Sequence, residues 1–306
     1  MNTNLKFKAI GFVFKIFLIF FIAFLLFTLI FLNSIDKILY NPLTMPREWL
    51  AKQPHIEIGL ESGSIIIIQP TSTFFVYFLG VIATLIGIFL IIRSKSQKSR
   101  IWWGIAVIFW GLGALFAGTS YQIFSYEIKC EGRIFCLWTS WWEIIYLLFS
   151  VGSVNAMMMA QSFSVTTGKW RIILKYYAFI SMCAYIILVS IGIAVPIKFL
   201  ISFELMVLFL VPNIILFFGI NLIRYLKYHL KMDLFLIIIW LSLGIIIGLY
   251  FLYYILDLTS KLWNTIGIWF SENDILHIGL ILWMIIIEYS VQKYVVDLIP
   301  EKNALD

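Results

Sequence analysis

The sequence predicts an all-α, polytopic membrane helix bundle: one N-terminal anchor helix, a seven-helix block, and a short outer β-hairpin between them. Three observations carry this. The 306 residues are 62% hydrophobic and 12% charged, with a mean hydropathy of +1.00, whereas a soluble domain carries about twice that charge fraction. Apolar runs close to twenty residues long recur along the chain, which is the length that crosses a hydrocarbon core. These runs do not alternate in polarity as barrel strands of ~10 residues would, so their backbone polar groups must be satisfied inside helices.

Eight helices are expected, at 10–32, 73–93, 101–122, 139–162, 171–194, 200–223, 233–256 and 275–293. Lys6, Lys8 and Lys15 flank the first. Its long apolar core, and the lack of an A-x-A-like pattern in "FLNSID", read as a retained anchor rather than a cleaved leader. The expected organisation is an anchor over 1–32, an extracytoplasmic segment over 33–72, a seven-helix domain over 73–295 and a cytoplasmic tail over 296–306.

Charge gives the expected orientation. Fifteen Lys and Arg lie in the N-terminus, the turns near 93–100, 169–175 and 224–231, and the tail, against seven in the alternate loops. The positive-inside rule then puts both termini in the cytoplasm of a bacterial inner membrane. The net charge of +6 is accounted for in this way and makes no case for nucleic acid. The expected partner is the lipid bilayer.

The outer segments carry further expectations. Cys130 and Cys136 share one loop, "YEIKCEGRIFC", where an oxidising exterior permits a disulfide, with free thiols or a metal pair as alternatives. "NPLTMPREWLAKQP" is amphipathic, with Trp49 and Leu50 suited to the membrane interface. "HIEIGLESGSIIIIQP" alternates at Ile56, Ile58 and Leu60 and turns at "ESGS", a hairpin pattern. Within the block, Gly104, Gly111 and Gly118 recur every seven residues beside Ala114. Gly80, Thr84 and Gly87 make a second small face, and Gly244 with Gly248 a G-x-x-x-G. Small faces let helices approach closely, and all three are expected to pack the block internally. Pro212 with Asn213 is expected to kink the sixth helix.

Polar residues inside a membrane span need explaining. In "WTSWWEIIYLLFS", Glu143 lies five residues past Trp138, roughly 7 Å below the aromatic belt. Thr139, Glu143, Ser150, Met157 and Gln161 fall on one helical stripe, with Ser153 at its edge, and a polar stripe is expected to face the bundle interior. In the eighth helix Asp274, His277, Glu288 and Gln292 share a stripe. Glu204, Asp257, Tyr121 and Gln122 end or begin other helices at the same outer level. Glu143, His277, Asp274, Glu204, Gln122 and Tyr121 are therefore the candidate ligand-binding residues of an outward-facing polar pocket. Simpler roles stand beside this one. Glu143 could snorkel to the headgroups, Asp274 with Asn273 could cap its helix, and Asp257 could be solvated.

"GTSYQIFSYEIKC", "CLWTSWWEIIY" and "NDILHIGLILWM" resemble an uncharacterised family of bacterial multi-pass proteins, to which no activity attaches. Seven helices with embedded Asp and His are also distantly similar to the CREST group of membrane hydrolases, which includes alkaline ceramidases. That resemblance implies a zinc held by three histidines with a nearby Asp and Ser. This sequence departs from it, since only His277 lies at an outer-pocket position and Ile281 stands four residues on. A site of Glu143, Glu204, Asp274 and His277 would be chemically possible for zinc. Three functions are thus in view. The first is a binding protein whose outer pocket takes a small polar molecule or lipid headgroup. The others are a membrane-embedded hydrolase using Glu143 or Asp274 as base with His277 as acid or ligand, and an accessory subunit whose polar stripes only hold helices together. The catalytic residues, metal and cofactor of any such enzyme are not specified by the sequence.

Overall fold

The computed structural model describes residues 33–60 and 63–298, preceded by residues 23, 26, 27 and 29–31. The anchor helix expected at 10–32 thus lies almost wholly outside the described residues. A short helix α1 (Pro46–Leu50) precedes an antiparallel hairpin of β1 (His55–Leu60) and β2 (Gly63–Ile68), paired from His55 with Ile68 to Leu60 with Gly63. Seven helices long and apolar enough to cross a membrane follow. They are α2 (Pro70–Ile92), α3 (Lys98–Ala117), α5 (Trp141–Ser164), α6 (Gly168–Ala194), α7 (Phe203–Tyr228), α8 (Lys231–Ile255) and α10 (Glu272–Tyr294). Between them lie α4 (Ser125–Lys129) and α9 (Leu258–Ile266). The chain is an all-α membrane bundle with one small hairpin.

Six helices close a ring in the order α2, α3, α5, α7, α8, α10, and α6 packs outside it on α5. The most deeply buried of the seven is α5. Two small faces explain the α2–α3 approach. A side chain added at Gly87 would meet the Gly104 carbonyl oxygen at 2.6 Å, and one at Gly111 would meet that of Gly80 at 2.7 Å. Small residues here let backbones touch where lipid supplies no hydrophobic drive between helices. Gly244 and Gly248 of α8 meet nothing within 4 Å. They face outward, contrary to the expectation that they pack the block. Aromatic rings fill the ring's centre, with Trp240 against Trp103, Phe217 and Trp283, and Trp110 against Trp283. The indole N–H of Trp283 donates to the Ile239 carbonyl at 2.8 Å, so its polar edge is satisfied. Pro212 sits inside α7, and Asn213 donates its amide to the Phe209 carbonyl four residues back.

The two ends of the bundle differ. At the hairpin end the segment over 38–44 is sewn to the loop before α5. The Trp138 N–H donates to Ile38, that of Cys136 to Thr44, and the Lys198 ammonium to the Leu39 carbonyl, all within 2.9 Å. Trp49 does not rest at the interface. It is buried with Ile68 over the Cys130–Cys136 disulfide, its ring facing Tyr126. Among the described hairpin side chains only Ile68 is buried, while Ile56 and Ile58 of β1 are 47% and 43% exposed. At the other, basic end, Asp297 accepts from the N–H groups of Lys98 and Ser99 and caps α3. Leu298 is tied to the Phe163 carbonyl through its own N–H and to Arg171 through its own carbonyl.

Candidate functional site

Glu143 stands at the hairpin end, in the first turn of α5. Ser140 caps that helix, its hydroxyl accepting from the Glu143 N–H at 3.4 Å. A carboxylate there suits the helix dipole. The partners of the carboxylate come from the end of α3. Past Ala117 the helix widens into a π-turn over Gly118–Ile123, and Ser120 on this turn is fully buried. Its hydroxyl lies 2.6 Å from that of Ser140 and donates to Glu143 Oε1 at 2.8 Å. Widened turns of this kind recur at functional positions in helices.

The counter-charge is Lys129, the last residue of α4. Its ammonium is ion-paired with Glu143 Oε1, and both side chains are only 4% exposed. It also sits 4.8 Å above the Tyr121 ring. Two connections hold Lys129 in place. Its carbonyl accepts from the Leu137 N–H at 2.8 Å, and the next residue is the disulfide-bonded Cys130. The hairpin joins the same turn, since the Ile66 N–H donates to Glu127 Oε1 at 2.8 Å. The loop over 123–138 thus lowers a cation onto a buried carboxylate. The pairing offsets the several kcal/mol that burying either ion alone costs.

Asp274 forms a second cluster. It is fully buried at the start of α10 and reciprocally caps Ser271, whose N–H it accepts at 2.6 Å. Ser72 and Thr71 of α2 donate to it at 2.9 and 3.2 Å, and Ser72 also lies 3.0 Å from the Ser271 hydroxyl. The capping role read from the sequence is present, with the added function of joining α10 to α2. His277 follows one turn along, buried, with Nδ1 lacking a hydrogen-bond partner. A third cluster lies at the basic end. Arg224 of α7 pairs with the fully buried Asp233 of α8 at 2.9 Å and donates to the Val165 carbonyl at 2.9 Å.

The six candidate residues gather in three places. Glu143, Tyr121 and Gln122 belong to the α3–α5 end, Asp274 and His277 to the α2–α10 end, and Glu204 is exposed in the first turn of α7. Helices α5 and α10 are separated by α3 and α2 on one side of the ring and by α7 and α8 on the other. Glu143 and His277 thus stand on helices that are not neighbours in the ring, and among the described residues no hydrogen bond or ion pair joins them. Two grooves open elsewhere. One of about 440 Å3 lies between α6 and α7, lined by Tyr177, Ile180, Ser181, Leu208, Phe209 and Pro212. One of about 350 Å3 lies between α2 and α10 and includes Glu288. None of the six candidates lines either. Sequence reasoning missed Lys129 as the partner of Glu143. The signal available was a cation abutting Cys130 in a loop that returns to the helix carrying Glu143.

These features define an integral membrane protein with, among the described residues, seven helices long and apolar enough to span a membrane and ionic contacts buried at both ends of the bundle. The chain matches no protein-family model, no curated protein and no solved structure.

Proposed function

We propose that the chain is an accessory subunit of a membrane complex, its polar stripes serving to hold helices and cap together. The Glu143–Lys129 pair carries this reading. The carboxylate best placed to bind something from outside is already neutralised by the protein's own loop. The other buried carboxylates follow suit, Asp274 on serine and threonine hydroxyls and Asp233 on Arg224. Of the four residues that could have formed one zinc site, no three meet, and among the described residues no group of three His, Cys, Asp or Glu gathers. That geometry gives the hydrolase reading no support.

The chain extracted from its native membranes in mild detergent is expected to migrate on a native gel with a second polypeptide in stoichiometric amount. Migration alone would overturn the reading and leave the binding-protein one, an outward-facing site for a small polar molecule or lipid headgroup. One observation favours that alternative. Gln122 Oε1, Ser125 Oγ and Glu127 Oε2 are buried on and beside the π-turn with no hydrogen-bond partner, and buried polar atoms are ordinarily satisfied.

The same proposal places the hairpin end outside a bacterial inner membrane and both termini in the cytoplasm, on the asymmetry of Lys and Arg. Reporter fusions after residues 97, 168 and 229 are expected to behave as cytoplasmic, and fusions after 60, 130 and 265 as exported. One reversed loop would contradict the orientation.

A further inference from the structure

At the basic end three cations converge on one aromatic ring. The Lys175 ammonium lies 4.0 Å from the centroid of Phe163, that of Lys98 5.6 Å, and the Arg171 guanidinium carbon 5.8 Å. The two ammonium groups are therefore less than about 10 Å apart, within the span of one phosphate-bearing headgroup. They come from three places in the chain: Lys98 opens α3, Phe163 closes α5, and Arg171 and Lys175 lie on one face of the first turns of α6. The charges acting on Lys175 include Arg171 and Lys98, both of its own sign.

Among the described residues no carboxylate is ion-paired to any of the three. Asp297 caps the helix beside the cluster, accepting from the N–H groups of Lys98 and Ser99 at 2.7 and 2.8 Å. Arg171 is fixed rather than free, because its guanidinium holds the Thr166 and Leu298 carbonyls. Like charges held together at the edge of a low-dielectric region repel each other unless an anion joins them. The apolar spans begin at this level, and exposed Trp170 lies beside the cluster in sequence, as an interfacial aromatic would.

We propose that Lys98, Arg171 and Lys175 form a seat for a phosphate group, supplied by an anionic lipid headgroup or by free phosphate. Lysines act there as mobile point charges, while the arginine, its Nε and Nη2 held by carbonyls, adds a fixed positive charge and its Nη1 donor, and basic pockets between helices on one leaflet bind lipid phosphates in this way. The site is at the opposite end of the bundle from the Glu143–Lys129 pair and does not rest on the function proposed above.

The test uses the full chain in vesicles of phosphatidylcholine alone, in vesicles containing one-third phosphatidylglycerol, and in phosphatidylcholine with added inorganic phosphate. The melting temperature is expected to rise with phosphatidylglycerol. More than half of that rise should be lost in the double variant K98Q/K175Q and kept in K98R/K175R. A second double variant, K227Q/K231Q, removes the same charge from exposed positions at the same end of the bundle and should keep the rise. A rise with inorganic phosphate instead would assign the seat to free phosphate. No rise with either anion, or equal losses in the two Gln variants, would overturn the proposal.

Discussion

Replacing Glu143 with Gln is expected to destabilise the protein by about 3–5 kcal/mol, the range for removing one partner of a buried ion pair. The change is nearly isosteric, so the loss does not come from packing. It comes from the Lys129 ammonium, 4% exposed, left in a closed site with an amide and a serine hydroxyl in place of a carboxylate. Tyr121 lies beneath it, but a ring face is a much weaker partner for a cation than a carboxylate. Lys129→Met acts from the other side. It leaves Glu143 with the Ser120 hydroxyl, and loosens the cap whose hairpin and disulfide loop both attach at this turn. Unfolding titrations of the purified protein in one detergent measure both losses. A loss below ~1 kcal/mol in both variants would mean that the ions reach water.

The second large effect is expected at the other end of the bundle. Arg224→Met strands Asp233, which is fully buried on α8, and a cost of about 3–5 kcal/mol is again expected. The arginine also ties α7 to the end of α5 through the Val165 carbonyl. Arg224→Lys should recover part of the loss, because an ammonium supplies the charge but not two directed donors. Lys227→Gln, an exposed change one turn on, should stay within about 0.5 kcal/mol of the parent in the same titration.

Much of the architecture was legible because hydropathy reports depth. All seven described spans fall within a few residues of where their apolar runs place them, and the hairpin reverses between Leu60 and Gly63, where its turn pattern lies. The small faces of α2 and α3 were legible too, since recurring glycines leave a groove that a neighbour fills. Of the stripe through Thr139, Glu143, Ser150, Met157 and Gln161, all but the partly exposed Ser150 are buried, as is Ser153 at its edge. The sequence does not carry the order of the helices around the ring. Glu143 and His277 have similar depth, but depth does not say which helices are neighbours, and α5 and α10 are not neighbours in the ring. The G-x-x-x-G of α8 was misplaced for the same reason. Lys129 escaped because its pairing depends on a π-turn and a disulfide loop folding back together, neither of which has a period. Trp49 looked amphipathic in a short segment, and only the tertiary cap shows that it covers the disulfide.

The most direct test of the central claim, that Glu143 is held by Lys129, is a double-mutant cycle on the two residues. Lys129→Met, Glu143→Gln and the double variant are unfolded in one detergent and compared with the parent. Removing both charges leaves the introduced amide able to accept from the Ser120 hydroxyl and puts an apolar chain where the ammonium lay. Uncharged replacements of buried pairs are often neutral or stabilising, so the double variant is expected to be more stable than either single one. The coupling should exceed ~2 kcal/mol, well above the ~0.5 kcal/mol of independent sites. Losses that simply add would show that the two residues do not act on each other, and the account of a cap latched through Glu143 would fail.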